Sequence, residues 1–366
     1  MAKKGRSLKE AKAERVARKR KARRRKRAVF LMVEIIILLI LLAIGYVMTK
    51  YGKMQLNVFG EHDIQVNEGV EQKGYTTIAL FGGDSREGQL EAGTHADTII
   101  VVSIDNKSKE IKMVSVYRDT LLRGADDTLA KANSAYFLGG PNEAINMLNK
   151  NLDLDIQQYV TVDFKALADV IDLLGGIEIE VTDKEAAAIN DYIGETAMVA
   201  GKDAIPVSGG LQILDGVQAV TYARIRKNVG GDYMRTERQR LVLQKVMEKV
   251  KQTDLSTINE IVDKVFPQVS TSFSLAELFK LAAGVFQYEM GDTSGFPYEL
   301  TDGMIEDVGS VVIPLGFVEN VEELHKFLYP KDEYEASDKV KEIATEIEER
   351  SGYTREDYIP PAASVE

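Results

Sequence analysis

From Lys73 onward the chain alternates between dense apolar runs and helical spacing. Thr76 to Phe81 is a buried-strand pattern, broken by Gly82-Gly83-Asp84-Ser85. Thr98 to Ile104 and Glu110 to Val116 predict two more strands, joined by a turn at Asp105-Asn106-Lys107-Ser108. Tyr159 to Val162, the strictly alternating Ile177 to Val181, and Ser310 to Pro314 continue the series. Helical spacing runs over Gly140–Asn151, Phe164–Leu174 (stopped by Gly175-Gly176), Met234–Lys251, Leu255–Val265, Leu275–Phe286 and Val321–Phe327. Helices alternating with strands predict an α/β layered domain over residues 73–330, long enough to bury a large core.

The two ends differ from this middle. Ala28 to Met48 is a 21-residue run with a single charge, Glu34. At 1.5 Å per residue it reaches roughly 31 Å, the thickness of a bilayer's hydrocarbon core. Glu34 lies about two turns from the basic end, close enough to tilt to the interface or be protonated. Residues 49–72 are polar with few periodic apolar positions and read as a stalk. Residues 331–366 are acidic and end in Ile359-Pro360-Pro361-Ala362, which predicts a loosely ordered tail with one short helix.

Charge turns the apolar run into a topology. Residues 1–27 hold fifteen Lys or Arg against Glu10 and Glu14, so a tail of about +13 precedes a remainder of about −24. A basic flank on one side only places that tail in the cytoplasm and exports the rest. Ile44-Gly45-Tyr46-Val47-Met48 offers no small-x-small cleavage site, so residues 28–48 read as an uncleaved signal anchor. The tail invites a nucleic-acid reading, but it lacks aromatics and abuts the apolar run. Anionic membrane lipids are the simpler partner, and no nucleic acid is expected.

Composition then closes several routes. The chain has no cysteine, which excludes disulfide partners and thiolate metal sites and suits a bacterial envelope. His62, His95 and His325 are too scattered for a zinc site. No GxxxxGK[ST], GxGxxG or GxSxG pattern occurs, so the common nucleotide and serine-hydrolase readings lack their minimum residues.

The candidate chemistry gathers at strand ends. Asp84 follows the first predicted strand and Asp97 precedes the second. Two such carboxylates can meet at one sheet edge and share Mg²⁺, although Asp is also a common turn residue and spacing leaves both readings open. Arg118-Asp119-Thr120 follows the third strand. Taken alone, a surface ion pair with Asp119 accounts for Arg118. The basic group from 224 to 239 is more specific. Arg224 and Arg226 project to one side of an extended segment, while Arg235, Arg238 and Gln239 share one face of a helix start. In an acidic background, such convergent guanidinium groups point to phosphate oxygens.

In this order the residues resemble the LytR–CpsA–Psr family of envelope phosphotransferases. The stretches carrying the resemblance are Asp84-Ser85-Arg86, Ala96-Asp97-Thr98, Val114-Ser115-Val116-Tyr117-Arg118-Asp119-Thr120 and Lys131-Ala132-Asn133-Ser134-Ala135-Tyr136. They continue through Val162-Asp163-Phe164, Leu174-Gly175-Gly176-Ile177, Leu214-Asp215-Gly216-Val217-Gln218-Ala219, Tyr222-Ala223-Arg224-Ile225-Arg226 and Gly231-Asp232-Tyr233-Met234-Arg235-Thr236-Glu237-Arg238-Gln239. The match is strong over residues 73–250 and weaker to about 330. The chain departs from the common pattern at Gly83, at His95-Ala96 and at Tyr117.

The resemblance implies an α-β-α sandwich preceded by one transmembrane helix, with an apolar groove for a polyprenyl chain. It also implies transfer of a glycopolymer phosphate (teichoic acid, capsule or a related glycan) from a polyprenyl-pyrophosphate carrier to peptidoglycan in a Gram-positive envelope. On that reading Asp84 and Asp97 hold Mg²⁺ (or Mn²⁺), and Arg118 stabilises the attacked phosphorus centre. Arg224, Arg226 and Arg235 grip the pyrophosphate, and Arg238, Gln239 and Lys131 add contacts. Arg86 and Asp119 orient them. Two competing functions are a polyprenyl-pyrophosphate hydrolase using water as acceptor, and a non-catalytic envelope regulator or lipid-binding module.

Overall fold

The computed structural model describes residues 38, 41–42, 45–57, 59–60, 63–83, 90–124 and 126–358. It divides into two units, Met1–Gly52 and Lys53–Glu366. In the first, residues 45–51 are helical, and Leu38, Leu41, Leu42, Tyr46 and Met48 expose their side chains. The basic tail and most of the expected anchor lie outside the described residues. Among the described residues no helix is long and apolar enough to cross a membrane.

The second unit is built on a seven-stranded mixed sheet. Its strands are β1 (Gln55–Leu56), β2 (Tyr75–Gly83), β3 (Ala96–Asp105), β4 (Glu110–Val116), β7 (Gln158–Asp163), β10 (Val269–Thr271) and β11 (Glu289–Phe296). They lie in the order β1-β10-β7-β2-β3-β4-β11. β2, β3 and β4 form an antiparallel meander, and the turn between β3 and β4 is fixed by Asp105 Oδ1, which accepts from the amides of Lys107 and Ser108. β2 also pairs in parallel with β7, so the chain crosses over through a small hairpin of β5 (Leu121–Arg123) and β6 (Leu129–Lys131) and through α1 (Ala132–Leu152).

Side chains alternate across these strands, and both faces are covered. On one face Ala79, Phe81, Ile99, Val101, Val114 and Val116 pack against α1, α8 (Phe317–Leu328) and α9 (Asp338–Ser351). On the other, Ile78, Ile100, Val102 and Met113 meet Phe273 and Tyr288, with half-buried Leu243 and Met247 from α5 (Gly231–Val250) and Leu278 and Leu281 from α7 (Leu275–Ala283). Many apolar side chains of this second layer are only partly buried. Within α6 (Leu255–Val265) only Val265 is buried, and Leu255, Phe279 and Phe286 are exposed. A hairpin of β8 (Ile177–Val181) and β9 (Gly210–Leu214) forms a separate core with α2 (Phe164–Leu173), α3 (Asp183–Ala200), α4 (Gly216–Tyr222) and Val242 of α5.

Two boundaries differ from the sequence reading. The segment expected as a stalk belongs to the folded unit from Lys53 on. β1 adds to the sheet edge, Phe59 packs on Tyr159, and Asn67 and Gln72 hydrogen-bond the end of α1 around Asp153. Its polar residues satisfy backbone groups of other elements, which leaves no periodicity to read. The acidic tail is likewise packed. The one short helix expected there is α9, and its Val340, Ile343, Ala344 and Ile347 fall at i, i+3, i+4 and i+7 and enter the core. Buried Arg123 is ion-paired to Glu342 and Glu346 of α9, tying its charged side down.

Candidate active site

One irregularity in the sheet creates the site. β2 and β3 pair Gly82 with Thr98 but Gly83 with Ala96, so Asp97 is the extra residue of a β-bulge. Gly82 permits this close approach, because a Cβ there would lie 2.9 Å from the Cβ of Thr98. The register also sets Gly83, which precedes Asp84, beside Ala96, which precedes Asp97. Asp84 and Arg86 themselves lie outside the described residues.

Arg118, just beyond β4, donates from Nη1 to Asp97 Oδ1 at 2.6 Å. Its Nε lies 3.5 Å from Asp119 and 4.0 Å from Asp232. Helix α5 supplies the next charges one turn apart. Arg235 Nη2 sits 3.0 Å from Asp232 and donates to the Asp97 carbonyl at 3.2 Å, which pins the bulge. Arg226 Nη1 reaches Asp232 at 3.6 Å. Arg224 lays its guanidinium over the Phe164 ring at 4.6 Å and donates to Thr196 Oγ1 at 3.4 Å. Asp97, Arg224, Arg226, Arg235, Gln239 and Tyr192 line a cleft of about 340 Å³.

The electrostatics favour an anion. Burial pushes the Arg235 guanidinium down to about 10, which still leaves it charged at neutral pH. Burial pulls Arg118 the same way, but Asp97 prevails and holds it above its usual range. Arg118 Nε, Arg235 Nε, Asp232 Oδ1 and Gln239 Oε1 are all buried without a hydrogen-bond partner. Each such group costs about 1–3 kcal/mol, and the donor Arg235 Nε sits beside the cleft, where an anionic ligand would supply the missing acceptor. Helix α5 starts at Gly230 with no capping side chain, which adds its dipole to the same end.

Beyond Asp97 lies a second, more open cleft of about 490 Å³, lined also by Arg118. Lys131 and Asp119 are paired there at 3.0 Å, beside His95, Asn133 and Ser134. Asp97 thus borders both clefts.

The expected residues are only partly brought together. Asp97, Arg224, Arg226, Arg235 and Gln239 meet at the first cleft, and Arg118, Lys131 and Asp119 line the second together with Asp97. Arg238, expected as a substrate contact, does not line the cleft. It is buried, with Nε on Glu185 at 2.8 Å and its terminal nitrogens on the carbonyls of Ile225 and Val229. It shapes the loop that carries Arg226. Sequence reading passed over Asp232, which gathers Arg118, Arg226 and Arg235; its i, i+3 spacing to Arg235 was the available signal. Tyr192 and Thr196 come from α3, whose alanine-rich stretch has weak periodicity.

For a divalent cation, the described residues offer Asp97 as a hard oxygen donor, with Oδ1 shared with Arg118. Among the described residues no group of three acidic or histidine side chains forms a metal cluster. The donor chemistry of Asp97 fits Mg²⁺, and the register at Gly83 brings the chain leading to a second carboxylate alongside.

The LytR_cpsA_psr family model matches residues 44–307. The chain is 32% identical over 216 residues to the polyisoprenyl-teichoic acid–peptidoglycan teichoic acid transferase TagV of Bacillus subtilis, covering 58% of this chain and 53% of that protein. It is 30% identical over 255 residues to the TagU transferase of Halalkalibacterium halodurans, covering 65% and 77%. The chain therefore spans about half the length of the first relative and three quarters of the second. The fold is similar to that of B. subtilis YwtF (TagT), solved with bound octaprenyl pyrophosphate lipid, with a TM-score of 0.55 at 20% identity over 74% of this chain and 99% of that one.

Proposed function

This chain belongs to the LytR–CpsA–Psr family, and from that premise we propose that it transfers a glycopolymer phosphate from a polyprenyl-pyrophosphate carrier to peptidoglycan. The single observation that carries the reading is the convergence of the Arg224, Arg226 and Arg235 guanidinium groups on one cleft, with the buried Arg235 Nε lacking a hydrogen-bond partner. A pyrophosphate presents many acceptor oxygens and a charge of the right sign to complete it. The names of the relatives, teichoic acid transferases, are consistent with this substrate class.

The carrier's tail has a place to go. The sheet face under α5 and α7 offers half-buried Leu80, Val160, Leu243, Met247, Leu278 and Leu281. Amphipathic helices with so few buried residues leave room for an aliphatic guest. Exposed Leu38, Leu41, Leu42, Tyr46 and Met48 suit a lipid-facing anchor helix, with residues 1–27 in the cytoplasm and the domain outside.

In the reaction, Arg224, Arg226 and Arg235 bind the pyrophosphate in the ground state. Asp232 holds Arg226 and Arg235 convergent. Arg118 neutralises charge that grows on the attacked phosphorus and its oxygens. The acceptor hydroxyl oxygen bonds to phosphorus as the bond to the bridging oxygen breaks, releasing polyprenyl monophosphate and a proton. Asp97, with Asp84 as its expected partner, would hold Mg²⁺, which when bound would supply Lewis-acid neutralisation of the leaving phosphate. Positioning and charge matching carry most of the catalysis.

The test is reconstitution of the full chain with a lipid-linked teichoic acid precursor and peptidoglycan oligomers, with and without Mg²⁺. Polymer attached to peptidoglycan is the expected product. Polymer phosphate released into solution in the presence of acceptor would identify a hydrolase, and absence of turnover a binding module.

A further inference from the structure

The cleft on the far side of Asp97 differs in kind from the arginine cleft. Its charges balance, with Arg118 and Lys131 against Asp97 and Asp119, so a second phosphate gains little there. Among the described residues the side-chain amide of Asn133 and the hydroxyl of Ser134 make no hydrogen bond. Beside them the exposed His95 ring stacks on Phe137, centroids 4.4 Å apart and planes within 13°. Phe137 is 40% exposed and Leu138 73%.

This aromatic shelf is held rigidly. The Gly93 amide donates to the Phe137 carbonyl at 2.8 Å, and Tyr136 Oη donates to the Leu90 carbonyl at 2.6 Å. Helix α1 kinks at Gly140, whose φ of 70° and whose closeness to Ala92 (a Cβ would lie 3.3 Å from the Ala92 amide) exclude other residues. The segment from 90 to 95 is thereby clamped onto the first turns of α1. An exposed flat aromatic pair, free amide and hydroxyl groups and near-zero net charge suit the apolar face and the hydroxyl edge of a sugar ring.

We propose that this second cleft is the acceptor-glycan subsite, in which a pyranose ring lies on the His95–Phe137 shelf and hydrogen-bonds Asn133 and Ser134. The proposal rests on the transferase reading above. In-line displacement needs the nucleophile opposite the leaving group. With the lipid pyrophosphate in the arginine cleft, a glycan here reaches it past Asp97, which borders both clefts. Sugars of the donor polymer share this chemistry, and the experiment separates the two sources.

The experiment uses the full chain and the variants His95→Ala, His95→Tyr, Phe137→Ala and Asn133→Ala, none of which carries charge into the arginine cleft. Steady-state transfer is measured against peptidoglycan oligomer and against lipid-linked donor. Binding of the oligomer alone is followed by saturation-transfer NMR, and folding by thermal unfolding. Loss of one stacked ring predicts an acceptor KM raised about tenfold in His95→Ala and Phe137→Ala, with kcat and donor KM unchanged. His95→Tyr restores most of it. An acceptor KM unchanged in folded His95→Ala and Asn133→Ala overturns the subsite while leaving the transferase standing. A rise in donor KM instead assigns the shelf to the donor's sugars and overturns it as well. A wild-type protein that binds the oligomer through this shelf but transfers nothing to it refutes the transferase reading instead.

Discussion

Replacing Arg118 by Ala separates catalysis from binding at this site. Its guanidinium is 19% exposed and donates to Asp97 at 2.6 Å, while its Nε is buried with no hydrogen-bond partner. It therefore acts in a partly desolvated setting, where a charge is worth more than on the surface. Removing one such preorganised donor costs about 10²–10³ in kcat, or ~2.7–4 kcal/mol of transition-state stabilisation. Arg224, Arg226 and Arg235 remain to hold the pyrophosphate, so the donor KM changes little. The backbone around position 118 stays anchored, since its carbonyl accepts from the Asn133 amide at 3.0 Å. Arg118→Lys keeps the charge but loses the planar fork and recovers only part of the rate. The assay is initial-rate transfer over a range of donor concentrations at saturating peptidoglycan, with Arg235→Ala as the binding control. An Arg118→Ala enzyme with intact kcat and a donor KM raised like that of Arg235→Ala would refute the assignment, leaving Arg118 as one more binding residue.

Other perturbations test separate parts of the account. Asp97→Asn should abolish Mg²⁺-stimulated transfer with little change in thermal unfolding; a variant that keeps its activity at low Mg²⁺ would make Asp97 a structural bulge residue only. Arg238→Met should destabilise the fold by about 1–3 kcal/mol, because it removes the donors of two buried carbonyls and the cation facing half-buried Glu185. A wild-type unfolding midpoint with lost donor affinity would return Arg238 to the cleft. Ile343→Ala should cost about 2–5 kcal/mol in denaturant unfolding, since this α9 side chain is fully buried, and a loosely attached tail would show no change.

How much could be read in advance depended on where each element's partners lie. β4, β8 and α6 were legible to the residue because dense or alternating apolar runs end in turn residues. α1 was read only from Gly140 because Gly139-Gly140-Pro141 looks like a stop, yet the helix continues upstream through the kink to Ala132. α9 was undervalued for the opposite reason: its acidic surface masks four apolar positions, and its anchor, Arg123, is more than two hundred residues away in sequence. At the site, the carboxylate and arginine types were readable from spacing and resemblance. That Arg238 turns inward was not, since it shares a helix start with Arg235 and only the loop carbonyls at 225 and 229 reveal its direction. The partition into two clefts across Asp97 needed the bulge in β3, which depends on pairing between strands rather than on any local pattern.

Phosphoryl transfer to a glycan stands or falls with the fate of the donor's sugar-proximal phosphate. A lipid-linked precursor carrying radiophosphorus at that position is incubated with the reconstituted full chain, Mg²⁺ and peptidoglycan oligomers, and the products are separated. The account predicts label covalently attached to peptidoglycan, with unlabelled polyprenyl monophosphate released in equal amount. Label found on free glycopolymer phosphate, or retained on the lipid, would contradict it.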